Sequence, residues 1–389
     1  MASDFDIVIS GGGMTGLVFA IALAQQSPQW SIAVLEASKP TQQRPGFDGR
    51  SLALSAGTIA ELQTLGIWPH FQAFSHPITT IHVAEKNGVA AATLLATDSD
   101  LAQFGAVLEL NRAGFALRDI IARYPSITLV EGVSLRKCWQ QDDHVLLQLS
   151  DEQCLTCRLL VGAEGAQSTL PAQLHMPIHR YDFHQQAIIS TLHSSSPVDG
   201  QAWERFTPEG PMALLPLGPQ TYSLVWCRET AAARQMMDLS DAAFLAAFQH
   251  QFGYRAGRFS DIGKRANYPL SLYYVQPTVH HRVVMVGNAA HQLHPVAGQG
   301  FNLAMRDISA LAACLADVSD PGAHASLRAY QQSRYNDQIQ TMRLTSCLTV
   351  LFQSGISPIY QMRQTGLALV SQSRHAQQLI IRQALGYTK

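Results

Sequence analysis

Gly11-Gly12-Gly13-Met14-Thr15-Gly16 satisfies G-x-G-x-x-G and stands directly after the β-branched run Phe5–Ser10. The chemistry suited to this spacing is phosphate binding by backbone. Gly11 allows a tight turn, Gly13 lets the chain approach a pyrophosphate with no Cβ between, and Gly16 lets the next helix pack close to a strand. The phosphate then lies on unsatisfied N–H groups at the positive end of that helix. Glu36 ends the next β-branched run, 20 residues beyond Gly16, where an acidic side chain accepts hydrogen bonds from an adenosine ribose. Strand, helix, strand and acid together predict a dinucleotide site. A purely structural glycine turn is the alternative, and the fingerprint does not separate FAD from NAD.

Two more stretches place glycine after an apolar run. One is Val161-Gly162-Ala163-Glu164-Gly165-Ala166-Gln167-Ser168. The other, Val284-Met285-Val286-Gly287-Asn288-Ala289-Ala290-His291, runs into Pro295-Val296-Ala297-Gly298-Gln299-Gly300-Phe301-Asn302-Leu303. No H-E-x-x-H or paired-carboxylate motif is present, and no Ser-His-Asp or Cys-His arrangement can be read from spacing. The six cysteines (138, 154, 157, 227, 314 and 347) are scattered, as in a protein with reduced thiols. Cys154 and Cys157 form a C-x-x-C. No second pair stands at zinc spacing, and on the strand expected there positions three apart face opposite ways. Ordinary packing is the expectation, and no metal is expected.

Such motifs need elements to hold them. Residues 5–10, 14–26 and 31–36 read as a β-α-β unit of about 30 residues. Residues 51–65 read as a helix stopped by Gly66, and 114–124 as another ended by Pro125. Residues 127–130, 145–149 and 155–161 read as strands of a meander and of the main sheet. After about His175 the character changes. Residues 187–191, 202–207, 212–215 and 223–226 are short runs between Pro and Gly turns, the pattern of an antiparallel sheet. A helix is expected over 240–252, a buried strand over 283–286 and a helix over 301–315. Residues 324–389 read as mostly helical, with a break near 355–358. The two characters interleave with no linker between them. The expected architecture is α/β: a Rossmann-like cofactor domain (1–75, 100–178 and 276–330), an interleaved antiparallel-sheet substrate domain (76–99 and 179–275), and C-terminal helices (331–389).

Composition narrows the classes. Of 389 residues 14% are charged, against about 25% in typical soluble domains. Hydrophobic residues make up 47%, ample for a buried core, so disorder is excluded as the main state. Lys+Arg 27 against Asp+Glu 28 gives a net charge of -1, which argues against nucleic acid as the main partner. The N-terminus lacks the basic and long apolar regions of a secretory signal, and no apolar stretch is long enough to span a bilayer. A cytoplasmic location is expected.

With all three glycine-bearing motifs in view, the chain resembles the flavoprotein aromatic hydroxylases of the p-hydroxybenzoate-hydroxylase-like group. These combine an N-terminal glycine fingerprint, a middle D-G motif and a late G-D motif, and the likeness covers essentially the full length. Pro45-Gly46-Phe47-Asp48-Gly49-Arg50-Ser51-Leu52-Ala53-Leu54 and Gly287-Asn288-Ala289-Ala290 resemble the ubiquinone-biosynthesis branch, most closely the 2-polyprenyl-6-methoxyphenol hydroxylases. The resemblance implies that the Rossmann-like domain binds FAD. It implies that Gly11, Gly13 and Gly16, with Met14 and Thr15 between them, hold the pyrophosphate, and Glu36 the adenosine ribose. Arg50 would lie against the FAD phosphates and Asn288 would contact the ribityl chain. Gly298, Gly300, Phe301 and Asn302 would belong to the loop and helix start that face the flavin pyrimidine ring. A helix N-terminus there stabilises the anionic reduced flavin. Glu164 and Gly165 match a motif linked to both FAD and NAD(P)H use. Two residues depart from the family pattern. Asn288 replaces Asp and gives up a charge-assisted hydrogen bond, at roughly 1 kcal/mol; Glu164 replaces Asp with the same charge on a longer stem.

The resemblance further implies a cycle in which NAD(P)H reduces FAD and O₂ adds to give a flavin C4a-hydroperoxide. Its terminal oxygen attacks an electron-rich phenol, and 2-polyprenyl-6-methoxyphenol becomes the 1,4-benzoquinol. A base near the phenol would strengthen it as a nucleophile, and the sequence does not identify that base. His291 and His294 in the flavin loop, and Tyr222 and Arg205 on expected substrate-domain strands, are the candidates. A sibling hydroxylase for another ring position or a soluble phenol is one alternative. A weakly active scaffold subunit of a ubiquinone-synthesis complex is the other. The apolar runs 347–352 and 366–370 have a plain reading, core packing and homo-oligomer contact. Their functional reading is a path for a prenyl tail, or a surface for partners or the inner membrane.

Overall fold

The computed structural model describes residues 3–39, 50–86, 88–353 and 357–385. Residues 45–49, part of the segment that carries the resemblance, lie outside the described residues. Strand β1 (Phe5–Ser10) pairs in parallel with β2 (Ile32–Glu36) on one side and β11 (Cys154–Gly162) on the other. β8 (Ile127–Glu131) extends this sheet beyond β2, and β19 (Val283–Met285) beyond β11, both in parallel; β18 (Val279–His280) closes that edge. β10 (Val145–Leu149) and β9 (Leu135–Gln140) branch from β11 as an antiparallel meander. Ile7, Val8 and Ile9 are fully buried, which is why β1 reads as a continuous apolar run and not an alternation. The helix α1 (Met14–Gln26) carries the chain from β1 to β2. It is buried on nearly every side, against the sheet, α4 (Leu110–Ile121) and α8 (Gln299–Leu315), so it shows little amphipathic pattern.

A small antiparallel sheet runs β3 (Ser51–Ser55), β7 (Gly105–Glu109), β4 (Ser75–Ile78). The helix expected over 51–65 is therefore two elements, β3 and then α2 (Ala56–Thr64), followed by the short α3 (Trp68–Gln72). The stretch S-L-A-L-S fits a period of two as well as a helical one, and pairing with β7 decides it. Ser55 marks the switch: its hydroxyl caps α2 by accepting the Thr58 N–H at 3.2 Å. The helix expected from 114 starts at Leu110, because Asn111 and Arg112 complete its solvent face ahead of the buried Ala113 and Leu117.

The third sheet has nine strands. Its order is β20 (His291–Gln292), β17 (Ala266–Val275), β12 (Ile178–Ser194), β15 (Thr221–Glu229), β14 (Met212–Pro216), β13 (Gln201–Phe206), β5 (Thr80–Glu85) and β6 (Ala91–Leu95), with β16 (Phe259–Ile262) paired to β12. β13 and β5 are parallel, and the other pairs antiparallel. Sequence pattern exposed only 187–191 of β12, because the polar run before it hides a strand of 17 residues with a register shift between Asp182 and Gln185. One face of the sheet is covered by α7 (Asp241–Phe252), whose Phe244, Phe248 and Phe252 pack on Ile188, Leu214, Tyr222 and Trp226. The short helices α5 (Leu170–Gln173) and α6 (Thr230–Asp238) follow β11 and β15.

The chain ends in α9 (His324–Gln353), α10 (Ser357–Gln372) and α11 (Arg374–Leu385). α10 lies on β6, and a buried ion pair, Arg363 to Glu85 at 2.5 Å, fixes it to β5. Among the described residues no helix is long and apolar enough to cross a membrane.

Candidate active site

The loop from Gly11 to Gly16 joins β1 to α1. A Cβ added at Gly11 would stand 2.4 Å from the Ala163 carbonyl oxygen, and one at Gly16 only 1.9 Å from that of Gly11. Gly11 also sits at φ +117°, in the region that favours glycine. These two glycines serve the chain's own packing. Gly13 differs, since a Cβ there would meet nothing within 4 Å. Packing gives no reason for this glycine, whereas a ligand resting on the loop does. α1 starts with Gly13 as its N-cap, without a side-chain cap and without an acid in the first turn. An open surface ending on uncapped N–H groups fits a pyrophosphate. Glu36 stands beside it, half-buried, its carboxylate accepting the Gly12 N–H at 3.0 Å and the Ser38 N–H at 2.9 Å.

The other two motifs close on the same place. Glu164 follows the Ala163 that backs Gly11, and its carboxylate accepts the hydroxyls of Ser10 and of Ser168. The extra methylene of Glu over Asp is thereby anchored to the end of β1. Gly165 lies at φ +79° with open space where a Cβ would be. Gly287 packs on Thr15, where an added Cβ would come within 2.8 Å of Oγ1, so the exposed Asn288 sits beside the start of α1. Met14 is buried beneath this contact. Arg50, at the start of β3, is exposed and lies with its guanidinium 5.2 Å from the centre of the Tyr268 ring.

α8 begins after Gly298, again with no side-chain cap, and Gly300 opens on space. Phe301 belongs to the core under the first sheet. Asn302 is a clamp. Its Oδ1 accepts the Ser55 N–H at 2.9 Å and the Thr58 hydroxyl at 2.8 Å, while its Nδ2 donates to Gly298 O at 2.8 Å and Ala53 O at 3.2 Å. All its side-chain bonding is spent on tying the loop to β3 and α2, so this side chain positions the backbone around it.

This loop and β3 are held over one face of the nine-stranded sheet. The Ser51 and Ser223 hydroxyls bond at 2.6 Å, Val296 packs on Phe206, and His294 bonds Gln185 at 3.3 Å. Strand alternation puts Ala187, Val225, Cys227, Ala213 and Leu215 on this face, together with Glu204. An apolar wall carrying Glu204 thus faces the loop that leads into α8.

The four candidates for a base separate clearly. Tyr222 and Arg205 lie on the opposite, α7-covered face. The Tyr222 hydroxyl accepts from Trp203 Nε1 at 3.1 Å, and burial raises its pKa. Arg205 lies 6.0 Å from the Phe252 ring, with burial and the neighbouring Arg255 charge holding its pKa below the guanidinium range. His291 is buried and bonds Asp307 at 2.5 Å; Arg334 and Gln338 bond the same carboxylate at 2.7 and 3.1 Å. His294 lies in the loop that faces the sheet. The Val296 N–H donates to its Nδ1, leaving the proton on Nε2 toward Gln185. Burial pushes its pKa down to about 4, so it is neutral at pH 7. Motif reading missed Glu204. Its signal was the alternation in A-W-E-R-F, where Trp203 and Arg205 share one face and a single charge falls between Ala202 and Phe206 on the other.

A family model for the FAD binding domain matches residues 4–345. The chain is 32% identical to ubiquinone hydroxylase UbiL of Rhodospirillum rubrum, over 99% of this chain and 90% of that one. It is 29% identical to 3-demethoxyubiquinol 3-hydroxylase of Escherichia coli, over 98% of each. Among solved structures it shares the fold of p-nitrophenol 4-monooxygenase PnpA from Pseudomonas putida, with TM-score 0.81, 16% identity and 99% coverage of both chains. HpxO of Klebsiella pneumoniae, solved with FAD and uric acid, superposes at TM-score 0.78 with 16% identity, over 99% of this chain and 98% of that one. The open cradle at Gly13 and the match across nearly the whole chain agree: the chain belongs to the FAD-binding family, among its flavin-dependent hydroxylases.

Proposed function

We propose that the chain hydroxylates a polyprenylated phenol in ubiquinone biosynthesis, converting 2-polyprenyl-6-methoxyphenol to the 1,4-benzoquinol. The observation that carries this reading is the apolar sheet face set against the Gly298 loop. Ala187, Val225, Cys227, Ala213 and Leu215 offer a ring apolar contact. The full-length likeness to ubiquinone hydroxylases supports it. NAD(P)H, a proton and O₂ are consumed, the phenol gains one oxygen, and water leaves. Bound FAD supplies the electron transfer and the activation of O₂.

In this reading the chain binds and orients. The Gly11–Gly16 loop and the α1 N-terminus hold the pyrophosphate, with Arg50 nearby, and Glu36 takes the adenosine ribose. Asn288 accepts from the ribityl chain. Glu164 and Gly165 shape the floor between β1 and the loop. The first turn of α8 would present its uncapped positive end to the flavin and favour its anionic reduced form. The wall of β13 to β15 keeps water from the ring. Exposed Tyr335, Val350, Met362 and Leu369 on α9 and α10 support delivery of the greasy substrate from a membrane or a partner protein.

A strain lacking the gene is expected to accumulate 2-polyprenyl-6-methoxyphenol. A second reading, hydroxylation at another ring position, is favoured by the likeness to the Escherichia coli 3-demethoxyubiquinol 3-hydroxylase, whose name places its hydroxylation at position 3. It predicts a different accumulated intermediate, and normal quinone with no accumulation sinks both. Asn288→Asp restores the charge-assisted acceptor and is expected to tighten FAD by about 1 kcal/mol, roughly fivefold in Kd. Flavin-fluorescence titration of the apoprotein measures this, and unchanged affinity would remove Asn288 from the ribityl contact.

A further inference from the structure

Glu204 stands in the middle of β13, half-buried and closely surrounded by protein. Its strand neighbours fix its direction. Trp203 and Arg205 turn toward α7, where Trp203 stacks on His82 and meets Phe252. Ala202 and Phe206 turn the other way, Ala202 toward the small sheet and Phe206 onto Val296 of the cofactor loop. Glu204 lies between them on the wall that faces the Gly298 loop. Among the described residues no hydrogen-bond or ion-pair partner reaches its carboxylate. A carboxylate left unpaired in an apolar wall is costly to keep unless something that visits the site uses it.

We propose that Glu204 is the proton acceptor for the phenolic hydroxyl of the substrate. This rests on the phenol-hydroxylase reading above. The phenol O–H bond breaks and a new O–H bond forms on the Glu204 carboxylate. The electron pair stays on the phenolic oxygen and is shared with the ring carbon that takes up oxygen. The proton returns to the product as the ring regains its aromatic state. Burial holds the Glu204 carboxyl up at about 8. A phenol titrates near 10, so the transfer is uphill by about two powers of ten, against about six for an ordinary carboxylate.

The neighbours leave this titration to Glu204. Val83 of β5 and Ala213 of β14 flank it and are uncharged. Cys227 of β15 is kept a neutral thiol by burial and by Glu204 itself. Glu85, further along β5 on the same face, is held by Arg363 of α10, and His294 of the loop is neutral.

The test compares wild type, Glu204→Gln and Glu204→Asp, each loaded with FAD, on a 6-methoxyphenol carrying a two-unit prenyl tail at position 2. Wild-type kcat/KM is expected to rise with pH toward a plateau above about 8. Glu204→Gln should lower hydroxylation at least about 30-fold and remove that limb, and Glu204→Asp should restore part of both. Ultraviolet difference spectra should show bound phenolate with wild type and neutral phenol with Glu204→Gln. The folded variant has its own signature. A carboxyl raised in the folded state contributes stability that is present below its unfolded pKa and lost as pH rises through about 8. Glu204→Gln should therefore melt above wild type at pH 9 and with it at pH 4. An unaltered pH profile with phenolate still formed in Glu204→Gln overturns the assignment alone. Wild type that neither binds nor hydroxylates the phenol overturns the substrate reading, and the assignment with it.

Discussion

Gly13→Val is expected to abolish FAD retention in a protein that still folds, while Gly16→Val fails to fold. The two glycines sit three residues apart in one motif, and geometry separates their roles. At Gly13 a side chain meets no protein atom within 4 Å and the backbone is extended, at φ -77° and ψ -175°. The fold loses only the difference between Val and Gly at an N-cap, about 1 kcal/mol. The pyrophosphate loses its seat, at about 3 kcal/mol or more, a factor of at least about 100 in Kd. At Gly16 the new Cβ stands 1.9 Å from Gly11 O, so helix and strand must part along a fully buried interface. Flavin absorbance per chain after purification in excess FAD, with a circular-dichroism melt, reads both outcomes. Full flavin content in folded Gly13→Val would remove the pyrophosphate from this loop. If flavin-free Gly13→Val still supported quinone synthesis in cells, the scaffold reading would replace the catalytic one.

Asp307→Ala is expected to destabilise the fold by about 3–5 kcal/mol, the cost of removing one partner from a buried ion pair. Asp307 is fully buried on α8 and accepts from His291, Arg334 and Gln338. It joins the segment after the late motif to α8 and α9, so the damage reaches the cofactor loop as well. Burial alone would raise its pKa, but the charges and hydrogen bonds of His291 and Arg334 outweigh burial and hold it below the carboxylate range. The sign follows. Stability from a depressed carboxyl is present above its unfolded pKa, near 4, and lost as pH falls through the lower folded value. Urea midpoints should differ strongly between wild type and Asp307→Ala from pH 5 to 8 and converge in acid. Equal midpoints at pH 7 would show that the network contributes little.

The dinucleotide fingerprint was legible because its contacts are local. β1, the fingerprint, α1 and β2 lie in one 32-residue stretch, and each glycine has a steric meaning that spacing alone conveys. Contacts between segments far apart in the chain were less so. β3 looked helical until β7, about 50 residues away, paired with it. Asn302 was singled out for its place at the helix start, yet its four partners on β3, α2 and the loop cannot be seen without the fold. His291 invited a catalytic role, while its partner Asp307 is chosen by the packing of β20 on α8. Glu204 belongs to no motif. Only the knowledge of which sheet face meets the cofactor loop turns an ordinary strand glutamate into a candidate.

The short ladder between β20 and β17 has a mechanical meaning. β19 is a strand of the parallel sheet, and six residues later β20 is a strand of the nine-stranded one, paired Tyr273 to Gln292 and Tyr274 to His291. Val275 N–H adds a bond to Ala290 O at 2.8 Å across the junction. A swing of one sheet on the other at this edge would shear that ladder, so the two sheets form a single lever with no hinge between them here. Cofactor and substrate are met at this edge by one joined unit, not by two halves that open.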